Sequence, residues 1–220
     1  MKTRYQHRLN GDFSSLPVGK IVCVGRNYAD HAKELNNAIP AEPILFMKAP
    51  NALVSLEEPF AVPMGRGSCH FETELAILVG ERLTSASVSE AKKAIVGIGI
   101  ALDLTLRDVQ DKLKGMGLPW EKAKAFDGSC PLSEFVSYSG DLQNIDLKLE
   151  RNGRVVQDGN TRDMIFPTLE LLSEISEHFT LVPGDVVLTG TPAGVGPLSP
   201  GDTLTVLLGD ALKVNTSVIY

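Results

Sequence analysis

His70-Phe71-Glu72-Thr73-Glu74-Leu75-Ala76-Ile77-Leu78-Val79 sets two carboxylates two residues apart at the mouth of an apolar run. Successive side chains of a strand point to opposite faces, so Glu72 and Glu74 share one face and can converge on one ion. Alternating glutamates more often mark a solvated face, and the segment alone does not decide the chemistry. It does set the reading of its neighbours. Short runs rich in Val, Ile and Leu recur between turn signals at 21–24, 44–47, 95–102, 186–188 and 204–208, and these are predicted strands. Asn152-Gly153 between two further runs predicts a hairpin, because that pair adopts the positive backbone angles of a tight reverse turn. Helices are expected at 28–35, 88–94, 104–114 and 163–179. The last carries Ile165, Leu169, Leu172, Ile175 and Phe179 as one apolar stripe. The expected architecture is a β-rich α+β domain, its sheet antiparallel or mixed, with a few covering helices. Residues 1–17 read as a lead-in and 18–220 as one domain.

A third carboxylate closes the run Ile95-Val96-Gly97-Ile98-Gly99-Ile100-Ala101-Leu102 at Asp103. So apolar a stretch should be buried, and a carboxylate there is costly unless it is paired or holds a metal. A helix N-cap or a salt bridge to Arg107 would also satisfy it. Three carboxylates without a His or Cys ligand pattern form a hard oxygen site, suited to Mg²⁺ first, or to Mn²⁺ or Ca²⁺, rather than to zinc.

Composition narrows the classes of function. The 220 residues carry a formal net charge of −6 and no basic run, which argues against nucleic-acid binding. Hydrophobic residues make up 43% and charged residues 22%, as in folded globular chains. The polar start, Met1 to His7, lacks the apolar core of a secretory signal, and no apolar stretch approaches membrane-spanning length. Cys23, Cys69 and Cys130 match neither a zinc spacing nor a disulfide framework, so a reducing cytoplasm is expected. Thr189-Gly190-Thr191-Pro192-Ala193-Gly194-Val195-Gly196 lacks the lysine and spacing of a P-loop, and Gly97-Ile98-Gly99 lies within a strand. No nucleotide cofactor is implied.

Five segments, in order along the chain, resemble the fumarylacetoacetate hydrolase family: Val22-Cys23-Val24-Gly25-Arg26-Asn27-Tyr28-Ala29-Asp30-His31, Glu72-Thr73-Glu74-Leu75, the stretch from Ala101 to Gln110, the stretch from Pro119 to Asp127, and that from Leu188 to Pro197. Within the family they are most similar to the single-domain acylpyruvate hydrolase and oxaloacetate decarboxylase branch. The resemblance implies a mixed β-sandwich, barrel and β-roll domain, a homodimer, and Glu72, Glu74 and Asp103 as metal ligands. Phe71 stands where the family often has a second histidine, on the side of the strand facing away from the metal.

His31 and Glu34 stand three apart on one helical face, and in similar enzymes such a pair sits on a lid over the metal, His as general base and Glu orienting it. By resemblance Lys124 is the active-site lysine that stabilises an enolate oxygen. Arg26, Arg107, Gln110 and Thr191 are carried over as substrate contacts, and Lys122 reads as solvated. The expected substrate is a small 2-oxo acid. Cleavage of an acylpyruvate to pyruvate and a carboxylic acid is the leading expectation. Oxaloacetate decarboxylation or keto-enol tautomerisation is the alternative at the same metal; an isomerase or decarboxylase of homoprotocatechuate breakdown and a catalytically silent binder stand further off.

Overall fold

The computed structural model describes residues 5–220; the first four residues of the lead-in lie outside the described residues. A seven-stranded mixed sheet forms the frame, in the order Ile44–Lys48, Ile21–Gly25, Val186–Leu188, Thr73–Val79, Ile95–Leu102, Cys130–Leu132, Leu53–Ser55. Two neighbouring pairs are parallel, Val186–Leu188 with Ile21–Gly25 and Cys130–Leu132 with Leu53–Ser55, and the other pairs are antiparallel. All seven residues of Thr73–Val79 are buried, as expected of a central strand covered on both faces. A five-stranded sheet, Arg154–Asn160, Asp146–Arg151, Thr203–Leu208, Leu212–Ile219 and Phe60–Ala61, lies beside it, and the main core packs between them. Asn152 and Gly153 take φ of 53° and 74° at the hairpin turn, as that dipeptide predicts.

Helix Val88–Ala94 matches its expected bounds and is closed by a capping box between Ser87 and Glu90. Two other helices differ from expectation. The predicted helix 104–114 begins only at Arg107, because Thr105–Leu106 pairs antiparallel with Cys69–Phe71 while Leu104 and Leu106 are buried. The predicted helix 163–179 is instead a short turn, Thr161–Asp163, an extended link, and a helix Thr168–His178. Pro167 explains the break, since its ring drives the preceding residue out of helical geometry. The buried stripe accordingly runs through Leu171, Leu172 and Ile175, leaving Leu169 half-buried and Phe179 exposed.

The lead-in forms a small ribbon, Arg8–Leu9 with Asp12–Phe13, bonded to the body through Asn10 N–H to the Phe135 carbonyl at 2.8 Å. Cys23, Cys69 and Cys130 are buried free thiols. Among the described residues no helix is long and apolar enough to cross a membrane.

Candidate active site

The ends of several elements meet at one edge of the large sheet. Glu72 sits in the gap between strands Cys69–Phe71 and Thr73–Val79, Glu74 lies on the latter, and Asp103 follows strand Ile95–Leu102. The Asp103 amide donates to the Glu72 carbonyl at 2.8 Å and pins the two strand ends together. One carboxylate oxygen from each of Glu72, Glu74 and Asp103 lies within 4.8 Å of the others, and all three residues are buried. The alternation that put both glutamates on one face therefore holds. Phe71 is packed into the apolar core with the Arg151 guanidinium over its ring.

Three cations answer the three carboxylates. Lys124, on the short helix Glu121–Lys124, donates to Glu72 Oε2 at 2.8 Å, Asp103 Oδ2 at 2.6 Å and Thr105 Oγ1 at 2.7 Å. Arg107 Nη2 donates to Glu72 Oε1 at 2.5 Å, and its Nη1 donates to Gln110 Oε1 at 2.7 Å. Arg107 and Gln110 thus face one way and are buried, so this face of the helix is no ordinary solvated one. The third cation, Lys48, was not anticipated. It closes strand Ile44–Lys48, is 1% exposed, and lies 2.8 Å from Asp103 Oδ1. Asp103 is therefore neither a helix N-cap nor the partner of Arg107; its counter-ions are Lys48 and Lys124. Lys122 is exposed, as expected.

Electrostatics separates the carboxylates. Burial opposes ionisation of Glu72, but Lys124, Arg107 and His31 outweigh it and hold its carboxyl well below the usual range. Burial also lowers the Lys124 ammonium, yet Asp103 and Glu72 more than reverse this and hold it above the ordinary lysine range. Glu74 goes the other way. Burial, then Asp103 and Glu72, push its carboxyl well above the usual value, against Lys124 and a single backbone donor, Gly190 N–H at 2.7 Å.

The residues fit a divalent cation. Their donors are hard carboxylate oxygens, and among the described residues Glu74 has no cation in salt-bridge contact, its one hydrogen-bond donor being Gly190 N–H. A buried carboxylate so placed is costly until a cation shares it.

The chain enters the site from strand Ile21–Gly25 through Arg26, whose φ of 60° is unusual for a residue with a side chain. Asn27 holds this turn. Fully buried, it donates from Nδ2 to the carbonyls of Phe166 at 3.0 Å and Thr189 at 2.8 Å, and it accepts from Phe166 N–H at 2.7 Å. Helix Ala29–Glu34 follows and carries His31, buried with Nδ1 3.3 Å from Glu34 Oε2. Glu34 also accepts from Gly194 N–H at 3.1 and 3.2 Å, which ties the helix to the Thr191 loop.

That loop needs glycine at Gly190, where φ is 96° and a Cβ would lie 2.7 Å from that of Asn27. Gln157, a second residue not anticipated, donates to Thr191 Oγ1 at 2.8 Å and accepts from Thr73 N–H at 3.0 Å. The Thr191 hydroxyl proton is thereby left for another acceptor. His31, Arg26, Glu72, Glu74, Arg107, Gln110, Lys124 and Thr191 all line one cleft, walled by Phe46 and Trp120. The buried Arg107 Nε–H has no acceptor among the described residues. The sequence-selected site residues therefore converge, with Glu34 just behind His31 and Asp103 just behind Lys124.

Comparison with known proteins gives the same picture. The C-terminal domain of fumarylacetoacetate (FAA) hydrolase matches residues 20–219. The oxaloacetate tautomerase of Escherichia coli (strain K12) is 52% identical over 98% of this chain and 100% of its own length. A mitochondrial oxaloacetate decarboxylase of Dictyostelium discoideum is 42% identical over 84% of this chain and 86% of its own. Among solved structures, a fumarylpyruvate hydrolase from Pseudomonas aeruginosa, in complex with Mn²⁺ and pyruvate, superposes with a TM-score of 0.92 at 31% identity, covering 100% of this chain and 97% of that one.

Proposed function

The chain belongs to the fumarylacetoacetate hydrolase family, and from that premise we propose that it interconverts the keto and enol forms of oxaloacetate in the cleft lined by Glu72, Glu74, His31 and Lys124. The observation that carries the reading is a base and a buried cation on one cleft, in a chain 52% identical to an oxaloacetate tautomerase along its whole length. That support places tautomerisation ahead of acylpyruvate cleavage, the leading expectation from sequence, whose nearest parallel reported above is 31% identical.

Glu72, Glu74 and Asp103 would hold a divalent cation, Mg²⁺ by preference, which when bound supplies a Lewis acid for the 2-oxo group. The chain supplies the rest. Glu34 holds His31 at Nδ1, and Nε2 makes no hydrogen bond among the described residues, so Nε2 is the base that takes a C3 proton. The electron pair left on C3 moves into the C2–C3 bond and the carbonyl pair moves onto the 2-oxygen. All three Lys124 protons are already held by Glu72, Asp103 and Thr105, so Lys124 steadies that oxygen by charge at short range in a buried site. The imidazolium returns its proton to the 2-oxygen, which completes the enol. Arg107 Nε–H and the Thr191 hydroxyl serve as donors to the substrate carboxylate, with Gln110 orienting Arg107 and Arg26 at the rim. A homodimer and a cytoplasmic setting belong to the same proposal, the latter supported by three buried free thiols.

The test follows enol oxaloacetate by its absorbance with purified protein, with Mg²⁺ and after EDTA, alongside pyruvate release from oxaloacetate and from acetylpyruvate. Metal-dependent tautomerisation faster than pyruvate release is expected. Release from acetylpyruvate without acceleration of tautomerisation would replace this reading with the hydrolase, and release from oxaloacetate alone would replace it with the decarboxylase.

A further inference from the structure

Beyond the reacting centre, the cleft has an outer end where Lys114 and Asn37 carry no part of the chemistry above. Helix Arg107–Gly115 presents Arg107, Gln110 and Lys114 on one face, at the three- and four-residue spacings of a helical stripe. Arg107 marks the inner end through its bond to Glu72, and Lys114 lies two turns outward, about 10 Å along the axis. Helical side chains lean toward the N-terminus, so the Lys114 stem tilts back over Gln110 and into the cleft it lines.

At this outer end Lys114 Nζ donates to Asn37 Oδ1 at 3.2 Å, and both residues line the cleft together with Arg26. The acid facing Lys114 is Asp111, one helical turn back at 3.7 Å and itself 61% exposed, a weak and screened partner. Burial, and the proximity of Arg26 and Arg107, lower the Lys114 ammonium, while Asp111 raises it. At the inner pole Lys48, Lys124 and Arg107 are each in contact with the buried carboxylate of Glu72 or Asp103. Among the described residues the outer cations have no such buried partner.

We propose that Lys114, Asn37 and Arg26 form an outer anion subsite that binds the distal carboxylate of a 2-oxo dicarboxylic acid, so that the cleft selects diacids over substrates with an uncharged far end. Asn37 then acts twice: its Oδ1 steers the ammonium and its amide N–H groups remain available to the carboxylate. Because Asn37 follows helix Ala29–Glu34, a bound distal carboxylate would also tie the segment carrying His31 to helix Arg107–Gly115. Phe46 and Trp120 wall the same cleft and suit the short carbon link of such an acid.

This inference rests on the cleft being the substrate site of the proposed function, and the experiment separates the two. Calorimetric binding to Mg²⁺-loaded protein uses two ligands that share the 2-oxo acid head: pyruvate, which has no distal group, and 3,3-difluorooxaloacetate, which has a distal carboxylate and no C3 proton to lose. The subsite predicts that Lys114→Met weakens the difluoro diacid about tenfold or more, the range of a charge-assisted hydrogen bond, and leaves pyruvate unchanged. Lys114→Arg should recover most of the loss, and an unchanged thermal midpoint in both variants excludes misfolding. Equal weakening of both ligands, or no effect on the diacid, overturns the subsite. A diacid preference that depends on Lys114 in a protein that does not tautomerise oxaloacetate would leave the subsite standing and remove the activity.

Discussion

Replacing Lys48 by Met keeps most of the side-chain stem and removes one buried charge at the back of the site. Lys48 Nζ pairs with Asp103 Oδ1 at 2.8 Å and donates to the carbonyl of Ser129 at 3.0 Å, to Ser129 Oγ at 3.1 Å, and to the Lys124 carbonyl. The variant leaves Asp103 short of a counter-ion and several carbonyls without their donor, in surroundings with almost no solvent access. Removing one partner of a buried ion pair costs about 3–5 kcal/mol. For a chain of this size each kcal/mol moves the thermal midpoint by about 2–4 °C, so a drop of about 6–20 °C is expected for metal-free protein. Saturating Mg²⁺ should then stabilise Lys48→Met more than wild type, since the added cation takes up charge that Lys48 no longer balances. Thermal unfolding of both proteins with EDTA and with Mg²⁺ makes the measurement. A loss of less than about 1 kcal/mol without metal, or an equal metal-induced gain in both, would refute the view that Lys48 neutralises the carboxylate cluster.

Three further outcomes are expected. His31→Gln should lower kcat for tautomerisation by about 10²–10⁴ while the Mg²⁺-induced rise in thermal midpoint stays as in wild type; undiminished turnover would place the base elsewhere. Mg²⁺ at about 100 times its Kd should stabilise wild type by about 2.7 kcal/mol, and Glu74→Gln should lose most of that gain, which thermal scans at graded metal will read. Buried His7 donates from Nε2–H to the Gly184 carbonyl at 3.0 Å, and burial, against that bond, lowers its imidazole below the usual value. Its contribution to stability is therefore full above the unfolded pKa, near 6.5, and is lost as pH falls below that value, at a slope of at most about 1.4 kcal/mol per pH unit. Urea titrations between pH 7.5 and 5.5 should show His7→Phe losing less than wild type, about 1 kcal/mol less at most over that interval; parallel slopes would show that His7 does not titrate with unfolding.

What the sequence disclosed and what it hid divide along the range of the interactions. Glu72 and Glu74 were legible because strand alternation is local, and the Asn152-Gly153 turn because its backbone angles are a property of two residues. Asp103 was legible as a carboxylate in apolar surroundings, but its partners were not. A helix N-cap or a salt bridge to Arg107 stood as alternatives to a metal, whereas Arg107 reaches back to Glu72 and the counter-ions of Asp103 come from Lys48 and Lys124. Lys48 directly follows the predicted strand 44–47, and no local pattern marks it as buried. Only the three-dimensional fold, which packs it under Leu104 and Ser129, buries it. The early start given to the helix at 104 failed for the same reason, because the pairing of Thr105 with His70 spans 35 residues and overrides local preference. Asn27 was quoted within a motif but its task was invisible, since its partners are Phe166 and Thr189. Such long-range polar contacts fix the angle of helix Ala29–Glu34 to the Thr191 loop, and hence the approach of His31 to the carboxylates. The residue types of a reaction can thus be read from local pattern, while the residues that set its geometry become visible only when distant segments meet.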